Sequence, residues 1–327
     1  MAILPRSFRQ WCQYALLAIT TIAFGAGTSL GGPGCTTPPL YAASRTYPSV
    51  ASGCACAVAP VAARWFARVL IIVLENQDYK DAIADRYLGQ LAKQGAHFTI
   101  FHGLFHSSYP NYLAMVAGKA IPTRGNRQRD LNECSIADLL TAKGLTWKNY
   151  AEGYPTQIDA RAYPDRCVKD NYIGRYARKH VPFMSFIPIQ QHACGNIVAA
   201  SRFTDDLKNK ALPTYAFYSP NMDNDGHDAG LPHASQWLAG FLEPLRKSQA
   251  FMKDTLIVVT FDESSSRRDN HIYTIFLGPM VQPKEVTAYY THYNVLRTIE
   301  ENFGLCPLGE GDDGAKPITA VWKEAKR

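Results

Sequence analysis

ARVLIIVLEN, residues 67–76, carries six apolar residues, Val69–Leu74, straight into Glu75 and Asn76. A strand with one wet face alternates apolar and polar side chains; an unbroken apolar run of this length fits a strand covered on both faces, as in a parallel sheet. Thr255–Phe261 (TLIVVTF) repeats the pattern and ends in Asp262 and Glu263, and Thr214–Tyr218 (TYAFY) leads through SPN into Met222–Asp228 (MDNDGHD). Helical patterns fall between these runs: DAIADRYLGQLAKQGA (81–96) as one helix ending near Gly95, PNYLAMVAG (110–118), IADLLTAKG behind a Ser135 cap, ASQWLAGFLEPLRK (234–247) and YNVLRTIEENFG (293–304). Shorter strands are expected at 98–101, 146–150 and 272–277. Strands alternating with helices predict an α/β fold, a mostly parallel central sheet with helices on both sides in a three-layer α/β/α sandwich. No internal repeat interrupts it.

The chain has 327 residues, 46% hydrophobic and 19% charged, with a formal net charge of +6. That suits one large domain or two small ones, and a mild positive field favours anionic substrates without pointing to nucleic acid. After the N-terminus no apolar stretch is long enough to span a bilayer, which excludes a polytopic membrane protein. Arg6 and Arg9 precede the apolar run Tyr14–Gly27, so residues 1–27 read as an export signal, with an uncleaved anchor or a lipoprotein less favoured. Residues 28–66 read as a low-complexity linker or processed region, and 67–327 as the folded domain. A secreted, periplasmic or cell-surface location follows.

Eight cysteines suit export. Cys12 falls in the signal and Cys35, Cys54 and Cys56 in the linker, which leaves Cys134, Cys167, Cys194 and Cys306 with three connectivities open. The favoured pairs are Cys134–Cys167 and Cys194–Cys306. No zinc-type cysteine spacing is present.

Polar residues at the carboxyl ends of buried parallel strands stand where such folds bind ligands. Glu75-Asn76, Asp262-Glu263 and the 222–228 loop are such ends, and carboxylates there are costly unless a cation meets them. Their oxygens are the ligand set of a hard divalent ion, calcium or magnesium before zinc or manganese. Each piece alone has a plain reading: a solvated strand end, a turn before Ser264–Ser266, a loop histidine at His227, a helix cap at Ser108 ahead of Pro110. Their joint occurrence on separate strand ends favours one site.

The stretches Glu75-Asn76, His106–Leu113 (HSSYPNYL), Pro220–Asp228 (PNMDNDGHD) and Thr260–Glu263 (TFDE) resemble the successive motifs of the phosphoesterase family, most strongly its secreted acid phosphatases of mycobacterial type. That family, which also holds the nonspecific phospholipases C, belongs to the alkaline-phosphatase-like superfamily. The similarity extends through 175–183, 291–305 and 316–322. It implies a metal-dependent phosphomonoesterase with Ser108 as nucleophile and Glu75, Asn76, Asp262 and Glu263 as metal ligands. Asn111 would bind phosphoryl oxygens, and His106 and His227 would bind phosphate or protonate the leaving oxygen. Asp225 would orient His227 or join the metal. Ser107, where the family usually has proline, is a rival hydroxyl. The implied reaction runs through a phosphoserine on small phosphorylated substrates, a phosphoinositide among them, with no stable membrane insertion. A phosphodiesterase or phospholipase C, and a non-catalytic binding protein keeping the fold, are the alternatives. His292 reads as a structural cap, His271 as an exposed loop residue, and Arg175, Arg178, Lys179 and His180 as a solvated basic surface with a possible part in guiding an anionic head group.

Overall fold

The computed structural model describes Cys54, residues 63–155 and residues 167–324; the expected signal and most of the linker lie outside these. The strands in chain order are β1 (Arg68–Leu74), β2 (Ala96–Phe98), β3 (Phe101–His102), β4 (Trp147–Ala151), β5 (Tyr172–Ile173), β6 (Tyr176–Ala177), β7 (Ile197–Ala199), β8 (Tyr215–Ser219), β9 (Thr255–Phe261), β10 (Thr274–Leu277), β11 (Lys284–Val286) and β12 (Tyr290–Thr291). Eight of them form one sheet in the order β11-β2-β10-β9-β1-β8-β4-β7. Every pairing is parallel except those of β10, which runs antiparallel to both β9 and β2.

Strand β1 is buried from Val69 to Leu74 and β9 along its whole length. Successive strand side chains point to opposite faces, so continuous burial means that both faces are covered. Helices pack in two groups: Arg86–Ala92 against Leu231–Lys247, and Ser108–Ala117 against His292–Phe303 and Ile136–Ala142. The expected α/β sandwich is present.

Local departures have local causes. The expected single helix over 81–96 is two, Tyr79–Ala84 and Arg86–Ala92, because Asp85 adopts an extended backbone and its carboxylate accepts the N–H groups of Tyr87 and Leu88. The expected strand at 98–101 splits into β2 and β3. Chain expected to be linker already belongs to the domain: Phe66 is buried, Trp65 stacks on Trp322 at 4.9 Å, and the Asn302 side chain accepts from the backbone N–H groups of both Trp65 and Phe66.

The expected disulfide pairs are corrected. Cys134 bonds to Cys54, and Cys167 bonds to Cys194 across 27 residues. Cys306 is disulfide-bonded as well. Cys54, set aside as linker, is a partner in the domain's framework.

Candidate active site

Strands β9, β1 and β8 are neighbours in the sheet, and β9 and β8 both run parallel to β1, so their carboxyl ends open on one side. Asp262-Glu263 follows β9, Glu75-Asn76 follows β1, and the loop holding Asp225 and His227 follows β8. The backbone knits these ends together: Glu75 N–H donates to the Asp225 carbonyl at 2.8 Å, and Asp262 N–H donates to the Leu74 carbonyl at 3.0 Å. Asn76 takes φ of 48°, a left-handed conformation that asparagine tolerates, and its N–H donates to Asp262 Oδ1 at 3.0 Å.

Onto this floor the segment 103–107 lowers the start of the helix Ser108–Ala117. Gly103 permits the approach, since a Cβ there would lie 2.8 Å from the Asp262 carbonyl oxygen. Asn111 shapes the turn with its whole side chain. Its Oδ1 accepts from Leu104 and Phe105 N–H, and its Nδ2 donates to the Phe105 and Ser107 carbonyls. With donors and acceptor engaged in this way, Asn111 builds the loop that presents Ser108.

The two serines separate cleanly. Ser107 is the N-cap, half-buried, with no capping bond from its side chain, and its hydroxyl faces Gly125. Ser108, the first helical residue, is buried, and its Oγ lies 2.9 Å from Glu75 Oε2 and 3.2 Å from Glu263 Oε1. The helix N-terminus adds a favourable dipole for an anion at Ser108, while the Tyr109 N–H is taken by Asn126 Oδ1 and Pro110 has none.

Charge is packed densely here. Glu75, Asp225 and Asp262 are fully buried and Glu263 nearly so. His180 bridges two of them, with Nε2 at 2.9 Å from Glu75 Oε1 and Nδ1 at 3.0 Å from Asp225 Oδ2. Burial works against its charge, but Glu75 and Asp225 outweigh it and raise its pKa. Burial likewise opposes ionisation of Glu75, yet His180 and Lys179 hold that carboxyl below the ordinary range. Asp262 goes the other way: burial, with the Glu75 and Glu263 charges added, pushes its pKa well up. Burial also raises Glu263, against the pull of His106, whose Nδ1 lies 2.7 Å from Glu263 Oε2. Asp225 is raised by burial despite His180, and its Oδ1 accepts the His227 N–H at 2.8 Å. The His227 ring pairs with Asp228, 2.7 Å away.

Lys179 and His180 are the residues that sequence reasoning missed. Both are buried beside Glu75, and Arg178 is buried as well, bonding Asp130 and the Lys169 and Met184 carbonyls. The solvated-surface expectation is therefore corrected for all three, and only Arg175 is exposed, paired with Asp223 and Asp228. The apolar VPF that follows was the available signal of burial. His292 is structural: it opens the last long helix behind the Thr291 cap, and its Nε2 bonds the Asp262 carbonyl at 2.8 Å. His271 is partly buried, stacked on Tyr79 at 4.1 Å with its Nε2 at the Thr99 carbonyl.

The residues suit a divalent cation. Asn76 Oδ1 and Asp262 Oδ2 are buried with no hydrogen-bond partner, and Asp262 is destabilised by neighbouring carboxylates. Among the described residues no three His, Cys, Asp or Glu side chains already form a metal-ligating group. The fit rests on the donors' chemistry, with an amide and a hydroxyl completing the carboxylates.

A solved protein of the alkaline phosphatase superfamily from Vibrio parahaemolyticus superimposes with a TM-score of 0.55 at 16% identity, over 80% of this chain and 72% of that one, which fixes the class of fold. Residues 81–306 match the model of the phosphoesterase family, and the chain belongs to that family, one of phosphoric ester hydrolases. It is 35% identical over 318 residues to a probable acid phosphatase of Kluyveromyces lactis, covering 94% of this chain and 74% of that protein. It is 33% identical over 267 residues to a phosphatidylinositol-3-phosphatase of Mycobacterium tuberculosis, covering 79% of this chain and 83% of that one.

Proposed function

We propose that the protein is an exported, metal-dependent phosphomonoesterase whose nucleophile is Ser108. One observation carries the reading: a buried hydroxyl at a helix start lies within hydrogen-bond distance of carboxylates from two different strand ends, Glu75 and Glu263. A divalent ion held by Asn76, Asp262, Glu75 and Glu263 would lower the Ser108 pKa and offset phosphoryl charge. Ser108 Oγ attacks phosphorus in line with the ester oxygen. The Oγ–P bond forms as the P–O ester bond breaks, and the Oγ proton passes to a carboxylate. His227 or His106, both at the solvent side, protonates the departing alcohol oxygen. Water then attacks the phosphoserine, releasing inorganic phosphate and returning the hydroxyl. Asn111 keeps the 104–107 turn in register, and His180 fixes Glu75 and Asp225. A phosphoinositide monoester is a fitting substrate by likeness to the mycobacterial relative. Disulfides at Cys54–Cys134 and Cys167–Cys194 favour an oxidising compartment, and no helix among the described residues is long and apolar enough to cross a membrane.

The test is hydrolysis of an aryl phosphate monoester, with elemental analysis before and after chelation. Ser108→Ala should lower kcat by at least about 1,000-fold, Ser107→Ala by less than about 10-fold, and chelation should abolish turnover until a divalent ion is restored. Undiminished activity in Ser108→Ala with loss in Ser107→Ala would reverse the nucleophile assignment.

A further inference from the structure

Lys179 is the most deeply buried ammonium described in this chain, 1% exposed, and it makes no hydrogen bond. Its nearest counter-charge is Glu75 Oε2 at 3.5 Å. Less buried lysines do better: Lys148 reaches Asp206 at 2.5 Å, Lys119 reaches Glu133 at 2.7 Å, and Lys143 reaches the Gly304 carbonyl at 2.6 Å. Burying an ammonium with its donors unspent costs several kcal/mol. Glu75 accounts for only part of that charge: His180 lies closer to the carboxylate, at 2.9 Å, and the longer Lys179 contact leaves the ammonium donors unspent. Nor is the position free to relax. Arg178 is tied to Asp130, and the His180 carbonyl accepts from Ser219 Oγ at 2.6 Å, so Lys179 is pinned from both sides.

The place where those donors end up is informative. Ser108 Oγ and Lys179 Nζ share Glu75 Oε2, at 2.9 and 3.5 Å, so a group joined to Oγ lies within reach of the ammonium. The acceptors without a hydrogen-bond partner around the site, Asn76 Oδ1, Glu75 Oε1, Asp225 Oδ2 and Asp262 Oδ2, suit a cation, whereas the Lys179 ammonium suits an anion.

We infer that Lys179 is a catalytic residue: its ammonium binds a non-bridging oxygen of the phosphoryl group arriving at Ser108, and it selects dianionic monoesters over monoanionic diesters. This rests on the hydrolase reading above. A monoester brings one more negative charge than a diester, and a desolvated fixed cation rewards that difference far more than an exposed one would. A lysine that only steadied Glu75 would serve both ester classes alike.

The experiment compares the wild-type protein with Lys179→Met and Lys179→Arg. It measures kcat/KM on an aryl phosphate monoester and on the bis-aryl diester, the Kd of inorganic phosphate by calorimetry, and thermal unfolding. Lys179→Met should lower monoester kcat/KM by about 100- to 1,000-fold, with the diester falling less than about 10-fold and phosphate binding weakening at least about 10-fold. Lys179→Arg should recover part of the phosphate affinity. Equal loss on both esters, or unchanged phosphate affinity in a variant that melts like wild type, overturns the inference. If Lys179→Met does not fold, Lys179→Gln is read by the same criteria. Wild-type protein that binds phosphate but cleaves neither ester refutes the hydrolase reading and leaves the phosphate comparison to decide Lys179. Wild-type turnover with an unimpaired Lys179→Met refutes the lysine alone. Wild-type protein that binds no phosphate refutes both.

Discussion

Asn111 determines where the nucleophile stands. Four hydrogen bonds from one side chain hold Leu104, Phe105 and Ser107 against the first turn of the Ser108 helix. Asn270 supports the same turn from outside, donating to the Phe105 carbonyl while its Oδ1 accepts from Ser264 N–H. Asn111→Ala would take the side-chain partner from two N–H groups and the Ser107 carbonyl of a half-buried loop, while the Phe105 carbonyl keeps its bond from Asn270. A loss of about 2 kcal/mol in stability follows, and kcat should fall about 10- to 100-fold because the serine is no longer aimed. Calorimetry and monoester kinetics on the same preparation check both. If Asn111 instead bound substrate, KM would rise while the melting temperature held.

At the scale of elements, the turn Arg178–His180 lies inside the loop closed by Cys167–Cys194. Replacing both cysteines by serine should cost about 3 kcal/mol, the usual value for a loop of this size. It should also cut monoester turnover, because the lost cross-link loosens the segment that presents Lys179 and His180. Denaturant unfolding and kinetics read the two effects, and full activity in the double variant would show that packing alone holds the turn. This region also marks the limit of what the sequence discloses. Strands β1, β8 and β9 were legible because apolar runs ending in acids have few other readings, and those ends supplied Glu75, Asp225, Asp262 and Glu263. Lys179 and His180 were not, since a basic run resembles solvated surface until Glu75 and Asp225 arrive from other strands. Disulfide partners were equally opaque: spacing says nothing of which loops the topology brings together. Asp85, a single capping residue, was enough to divide a helix whose apolar period ran straight through it.

Across the whole molecule, the two ends of the nucleophile's helix are held by opposite devices. Its start carries Ser108 among carboxylates, and its far end stops at Gly118, where φ is 67° and a Cβ would strike the Asp312 carboxylate. Asp312 accepts N–H bonds from Leu308, Gly309 and Asp313, while Gly118 accepts from Gly311 and Asp312. Glu300, buried on the helix His292–Phe303, lies beside Asp312, whose carboxylate opposes its ionisation. Burial, then the neighbouring Asp312 carboxylate, push the Glu300 pKa from 4.5 up to about 10, with Arg297 only partly opposing. The folded state therefore keeps a proton that the unfolded chain releases above pH 4.5. The stabilisation is fully present below that value and is lost as pH rises through 10, at no more than about 1.4 kcal/mol per pH unit from this one group. Glu300→Gln keeps the side chain's shape without a titrating proton. Unfolding in denaturant at pH 5, 7 and 9 should show wild-type stability falling with pH more steeply than the variant's. The variant should be the more stable of the two at pH 9. Parallel curves would mean that the pair is not protonated in the folded protein, and that the far end of the Ser108 helix is anchored by the Asp312 backbone bonds alone.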